Sequence, residues 1–216
     1  MIRDSRDNRL SRITIITIIT IKMITLDKLI LQLSKMPRVS RRAAGRMAIS
    51  LLSDRVRANE LLSALDTAIQ KVGQCKICNS LAEGDVCEYC IDAGRTGTLC
   101  VVRDFSDVLV MEKAGVFRGR YHVIGGLLSG ANGITPEDLH IWNIGDRVRD
   151  EGIAEIVFAL PNTMEGKTTQ SYIVAKLEGV EVLFSELASG VPMGGDLDYI
   201  DDGTLSIAFG GRKKIN

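Results

Sequence analysis

The sequence predicts an α+β chain of several parts: a helical amino-terminal region, a small four-cysteine module, an α/β domain and a short carboxy-terminal extension. Three observations predict it. Apolar residues recur with helical spacing between residues 26 and 72, two Cys-x2-Cys pairs follow within 75–90, and β-branched runs alternate with helical stretches beyond 97. A chain of 216 residues is long enough for one large domain or two small ones with real cores. Its composition, 45% apolar and 25% charged, is that of an ordinary globular protein. Aromatic residues make up only 5%, so ring stacking is not expected to dominate any grip on single strands.

Residues 1–22 stand apart. Arg3, Arg6, Arg9 and Arg12 alternate with Asp4 and Asp7, and an Ile-Thr run follows from Ile13 to Ile21. That run is about half the length of a membrane-spanning helix, and no small-x-small cleavage signal follows it. The segment is expected to be a non-native or disordered extension, with the natural start at Met23. A clean amphipathic helix begins just after it, with Leu26, Leu29, Ile30 and Leu33 on one face until Pro37 stops it. A second helix is expected over 41–52, with Ala43, Ala44, Met47, Ala48 and Leu51 inward and Arg41, Arg42 and Arg46 outward. A third, Asn59 to Val72, carries Leu61, Leu62, Leu65, Ile69 and Val72 and ends at Gly73. These helices define a region 23–73. The cysteine module spans 74–96. From 97 to 190, short apolar runs at Thr98–Val102, Val108–Met111, Tyr121–Ile124, Ile153–Leu160 and Val180–Phe184 read as strands. Helices at 137–150 and at Gly166–Leu177 lie between them, as in a sheet with crossover connections. Residues 191–216 form the tail.

Cys75-x2-Cys78 and Cys87-x2-Cys90 are separated by eight residues, with Gly84 able to supply the turn between them. Four thiolates at such spacing suit one tetrahedral zinc per chain. With every coordination position taken by sulfur, the ion would be structural. An iron–sulfur cluster, a redox dithiol and a pair of disulfides are the competing readings. Cys100 is left over in an apolar run, and five cysteines without a secretory signal point to a reducing, cytoplasmic compartment.

The net charge is zero but unevenly distributed. Residues 1–72 hold 14 Lys/Arg against 6 Asp/Glu, and residues 73–216 hold 13 against 21. A basic end on an acidic body suits an anionic partner for the first part. The positive charge gathers in Lys35, Arg38, Arg41, Arg42, Arg46, Arg55 and Arg57, opposed only by Asp54. Two short helices joined by a tight turn can offer such cations and backbone amides to phosphates, independently of base sequence. A solvated helical face is the bland alternative. His122 and His140 sit near no nucleophile motif and read as structural. Gly125-Gly126 lacks the Lys-Ser/Thr of a phosphate loop. Asp196, Asp198, Asp201 and Asp202 read as turn caps facing a partner, with cation binding as the alternative.

The stretch Met36-Pro37-Arg38-Val39-Ser40-Arg41-Arg42-Ala43-Ala44-Gly45-Arg46-Met47-Ala48 resembles the helix-hairpin-helix of the RecR family. That hairpin usually reads Leu-Pro-Gly-Val-Gly-Pro-Lys-Ser-Ala-x-Arg-Met-Ala. Arg42 and Arg46 fall on its basic DNA-contacting positions, while Arg38 and Ser40 replace its two glycines. Gly115–Gly126, Gly133–Leu139 and Gly190–Leu205 are also similar to RecR stretches, in family order, so the resemblance covers about residues 26–214. It implies a Toprim domain over 97–190 and an oligomerisation segment over 191–216. Toprim enzymes hold Mg2+ with a Glu after one strand and Asp-x-Asp after another. Here Arg103 stands at the glutamate position with Asp104 beside it. Glu165 is kept, Pro161-Asn162 reverses the usual Asn-Pro, and no Asp-x-Asp follows that strand. Asp196-Leu197-Asp198 belongs to the terminal motif, and Ser189 replaces the arginine usual before Gly190.

The resemblance therefore implies a non-catalytic mediator of recombinational repair, working with RecO and in some settings RecF to load RecA on gapped DNA. Such proteins form ring-like tetramers in the cytoplasm, associated with the nucleoid and not with membranes. A protein scaffold with weakened DNA contact, and a Toprim nuclease or primase, are the alternatives.

Overall fold

A computed structural model of the chain describes residues 24–95, 97–188, 190–191, 194 and 196–212. The extension 1–22, the start at Met23 and Ser189 lie outside the described residues. The chain divides into two units, one ending at Gln70 and one beginning at Lys71.

The first unit is helical: α1 (residues 24–34), α2 (Arg41–Ser53) and α3 (Arg55–Lys71). Between α1 and α2 the Val39 amide donates to the Met36 carbonyl at 3.2 Å. Pro37 and Arg38 occupy the corner, and Arg38 has φ +63°. Proline followed by a left-handed residue, closed by that hydrogen bond, is a type II turn. Ser40 then caps α2, its hydroxyl accepting from the Ala43 amide at 3.2 Å. Asp54 separates α2 from α3 and accepts from the Arg57 amide at 3.0 Å.

The third helix therefore starts four residues earlier than the apolar spacing alone suggests. It ends at Lys71, and Gly73 lies within a strand rather than terminating the helix. Ala44 and Ala48 are the buried residues of α2, α3 has none, and Met47 is exposed rather than inward. Leu61, Leu62, Leu65 and Ile69 are 53%, 65%, 54% and 71% exposed. The apolar stripe exists as its spacing predicts, but this chain leaves it open.

The second unit opens with a hairpin of β1 (Val72–Gln74) and β2 (Leu81–Glu83), antiparallel with Gly73 opposite Ala82. A short helix α4 (Glu88–Ile91) completes the cysteine module. Next come β3 (Thr98–Val102), α5 (Phe105–Ala114), β4 (Arg120–Val123), α6 (Ile144–Asp150), β5 (Glu155–Ala159), α7 (Met164–Lys176) and β6 (Leu183–Glu186). The four strands are parallel in the order β4-β3-β5-β6. A tail helix α8 (Asp202–Gly210) follows.

β3 is buried on both sides. Leu99 and Val101 join Ile124, Ile156, Phe158 and Ile173 in one core, while Cys100 and Val102 join Val108, Tyr121 and Val123 in another. Alternate residues face opposite sides of a sheet, which explains the uninterrupted apolar run.

Three expectations in this unit need correction. Val108–Met111 is part of α5, not a strand: Asp104 and Asp107 form a capping box, and left-handed Gly115 closes the helix. The helix expected over 137–150 is real only from Ile144. Pro136–Asp138 is a 3-10 turn, after which Leu139 and Ile141 bury alternate side chains. The last strand begins at Leu183, later than Val180, which packs against the core just after α7.

Candidate nucleic-acid interface and metal centre

Lys35, Arg38, Arg41, Arg42 and Arg46 are all exposed and all belong to the α1–α2 turn or to α2. Arg38 rides the turn itself, in the left-handed conformation that glycine adopts most easily. The other replaced glycine, Ser40, is not strained; it has become the helix cap. With Ser40 occupying the Ala43 amide and its carbonyl accepting from Ala44 at 2.9 Å, the Arg41 and Arg42 amides have no partner among the described residues. No acidic residue lies in the first turn of α2. Two free amides at the positive end of a helix dipole, flanked by arginines, make a site for an anion. None of these five side chains forms an ion pair among the described residues, and the ion pairs all fall in the second unit. Arg46 and Arg57 also border an apolar groove of about 640 Å³ lined by Leu33, Met36, Met47 and Leu61.

Cys75, Cys78, Cys87 and Cys90 are buried, and their sulfurs lie within 4.8 Å of one another. Gly84 has φ +102°, the turn that folds one pair onto the other. Cys78 Sγ and Cys87 Sγ are 3.4 Å apart, far beyond the roughly 2.05 Å of a disulfide. The spacing is close to the edge of a tetrahedron whose centre is about 2.3 Å from each sulfur. Hydrogen bonds to Cys87 and Cys90, together with burial, push the Cys78 thiol far up. The donor set fits a structural zinc held by all four cysteines. Cys100, by contrast, is a lone buried thiol pushed up to about 12 by desolvation.

The two acids kept near the expected Mg2+ positions, Asp104 and Glu165, lie at the starts of α5 and α7. Asp104 caps α5, accepting from the Ser106 amide at 2.9 Å and from Arg103 Nε at 2.9 Å. The Ser106 hydroxyl and then Arg103 hold its carboxyl below the usual range. Arg103 reaches Asp107 as well, at 3.9 Å. Glu165 is exposed in the first turn of α7, where Gly166 is obligatory because a Cβ would overlap the Pro161 carbonyl. Among the described residues, the cysteines are the one group of three or more potential ligands close enough to share an ion. Asp201 caps α8, as the turn-capping reading expects, accepting from the Thr204 amide at 2.9 Å.

Sequence reasoning missed a buried charge network. Arg147 donates to Glu151 at 2.7 Å, to the Tyr121 carbonyl at 2.8 Å and to His122 Nδ1 at 3.1 Å. A guanidinium only donates, so His122 Nδ1 accepts and its Nε2–H donates to the His140 carbonyl at 2.6 Å. His122 is thus neutral, pulled down to about 3 by burial and then by Arg147. Arg120 pairs with the same Glu151 at 2.7 Å. Arg95 is clamped by both Glu112 oxygens at 2.8 and 2.7 Å. Apart from Arg147–Glu151, which has the i,i+4 spacing of a helix, these contacts join residues far apart in sequence, and no local spacing announces them.

Comparison with known proteins agrees with this geometry. A family model described as "Toprim domain" matches residues 97–187, one for the RecR four-cysteine zinc finger domain matches residues 72–92, and one described as "RecR, C-terminal" matches residues 190–213. The chain is 45% identical over 193 residues to "Recombination protein RecR" of Caulobacter vibrioides, covering 87% of this chain and 95% of the relative. It is 43% identical over 192 residues to the protein of that name from Ruegeria sp., covering 88% and 96%. The same figures for Rhodospirillum rubrum are 43% over 192 residues, with 88% and 98% covered. No helix among the described residues is long and apolar enough to cross a membrane. A four-cysteine module fitted to zinc, followed by a Toprim sheet and the matching tail, in one chain that spans nearly the whole of these relatives, leads to one conclusion: the chain belongs to the RecR family.

Proposed function

We propose that this chain is a non-catalytic mediator of recombinational DNA repair, which binds DNA independently of sequence. Lys35, Arg38, Arg41, Arg42 and Arg46 contact the sugar-phosphate backbone, helped by the Arg41 and Arg42 amides. The observation that carries the reading is the set of exposed cations, without ion-pair partners among the described residues, around the amino terminus of α2. Phosphates are the ligand for which such a surface is built. Arg42→Ala with Arg46→Ala should weaken binding to a gapped duplex at low salt by about tenfold or more. Its melting temperature should stay unchanged. Wild-type affinity in the double variant rejects this surface.

Ring-like homotetramers would bring four basic turns to one DNA and explain how a neutral chain binds a polyanion. The open apolar stripe of α3 and the exposed Leu205, Ile207 and Phe209 of α8 support self-association at both ends. Family membership supports partnership with RecO, and in some settings RecF, to load RecA at gaps, and a cytoplasmic, nucleoid-associated location. Catalysis is disfavoured by Arg103, whose cation stands where a Toprim enzyme carries a metal-binding glutamate and would repel a dication. Magnesium-dependent cleavage abolished by Glu165→Gln would reverse that conclusion. A scaffold without DNA contact is the second reading, favoured by the loss of both hairpin glycines; it requires RecO binding with no DNA shift even in dilute buffer.

A further inference from the structure

β4 is an edge strand, yet its outward side is not open. Alternate residues of a strand direct their amide and carbonyl to opposite neighbours. The Ile124 amide faces inward, donating to the Val102 carbonyl of β3 at 3.0 Å. Gly119, Tyr121 and Val123 face outward, and each outward carbonyl is capped. Arg95 Nη1 donates to Gly119 O at 3.2 Å and Arg147 Nη1 to Tyr121 O at 2.8 Å. At Val123 the cap is the first zinc knuckle. Its amide donates to the Cys78 carbonyl at 2.8 Å, and its carbonyl accepts from Asn79 Nδ2 at 3.0 Å.

One of these caps belongs to the metal module, and a second, Arg95, touches it although Glu112 also holds that side chain. Asn79 follows a ligand directly and is held left-handed, at φ +62°. Asn143 fastens the same loop by donating to the Ile77 carbonyl at 3.1 Å. Arg95 leans on the module's Tyr89, with its guanidinium carbon 5.1 Å from the ring centre. The module has little apolar interior besides its own sulfurs and Ala82, so its conformation rests on the ion. Arg147 belongs to α6 and does not depend on it.

We infer that the zinc module is a latch on the open edge of the Toprim sheet: Cys78 and Asn79 close Val123 to further strand pairing, and loss of the ion reopens that edge. The Arg147 cap at Tyr121 stays in place. An uncapped parallel edge is a template for another strand, so metal loss converts the chain into one that self-associates through β4. The inference is independent of what the chain binds.

Residue-resolved hydrogen exchange on the full chain, with and without a zinc chelator, tests it. After metal analysis confirms zinc removal, the Val123 amide should exchange about tenfold faster or more, while the Ile124 amide keeps its protection. Unchanged protection at Val123 overturns the latch. So does simultaneous loss at both amides, which makes module and sheet one cooperative unit. Asn79→Gly keeps the left-handed backbone and all four cysteines but removes the amide cap. That variant should retain one zinc per chain, yet pass it to a colorimetric chelator about fivefold faster. An unaltered transfer rate contradicts the coupling.

Discussion

The two units of this chain treat their charges in opposite ways. From Lys71 onward several cations are paired within the fold: Arg95 with Glu112, Arg120 and Arg147 with Glu151, and, nearer the surface, Arg103 with Asp104 and Lys167 with Glu186. Up to Gln70, the described residues contain no ion pair, and the basic side chains of the turn and of α2 point to solvent. Apolar residues show the same contrast, with packed cores around the parallel sheet and an uncovered stripe along α3. The body has its own partners for charge and for apolar surface; in the helical unit the described residues form no ion pair, and the α3 stripe is uncovered although Ala44 and Ala48 are buried. Such a unit supports the proposed contact with a polyanion and with a second protein surface.

The contrast breaks if charges of the body prove dispensable for folding. Glu151→Ala leaves Arg147 and Arg120 without their carboxylate in a site where Arg147 is 4% exposed. Thermal or urea unfolding should show a loss of about 3–5 kcal/mol, whereas Arg42→Ala with Arg46→Ala should cost less than about 0.5 kcal/mol. Comparable losses in the two variants would erase the distinction.

Next in size is the apolar stripe. Leu62→Asp with Leu65→Asp places charges on exposed positions of α3, so the fold should persist while the assembly dissociates. Light scattering should report a smaller particle with unchanged circular dichroism. A particle of wild-type mass would mean that α3 is not an interface.

A third effect comes from acid. His122 titrates at about 3 when folded and near 6.5 when unfolded. Its folded value is depressed, so its contribution is complete above pH 6.5 and is lost as pH falls toward 3, because the unfolded state binds the proton first. Urea midpoints for unfolding of the sheet should decline across that window and change little above it. Stability that rises on acidification contradicts the neutral, Arg147-bound imidazole. The smallest effect is at the turn: Arg38→Gly relieves a left-handed residue and should be neutral to stabilising by about 1 kcal/mol, while DNA affinity drops by the loss of one cation.

Much of this was legible in the sequence where chemistry dictates residue type. Metal coordination demands four cysteines at short spacing, and the array is unmistakable. β3 is apolar from Leu99 onward because it is buried on both faces, β5 buries alternate residues, and α7 carries a capped start at Thr163. Short apolar runs were less legible. Val108–Met111 suits a strand as well as a helix, and the capping box of Asp104 and Asp107 is the signal that decides it. After Pro136 the helix start was real but served one turn, since Leu139 and Ile141 bury on a two-residue repeat. The spacing of Leu61, Leu62, Leu65 and Ile69 gave the stripe but not its exposure, because periodicity reports amphipathicity and not what covers it. The local pairs Arg147–Glu151 and Arg95–Asp92 have helical spacing, but their long-range partners were invisible, lying 17 residues away for Arg95–Glu112 and 26 for Arg147–Tyr121.

The most direct test of the central claim is the salt dependence of DNA binding. Fluorescence anisotropy with a gapped duplex, across a series of sodium chloride concentrations, gives the slope of log affinity against log salt. Five phosphate contacts per engaged chain correspond to a slope of about −4 or steeper, flattened by about 2 in the Arg42→Ala, Arg46→Ala variant. A zinc-loaded, folded protein with a slope near zero, or a variant whose slope equals that of the parent, would contradict an interface made from the unpaired arginines of the first unit.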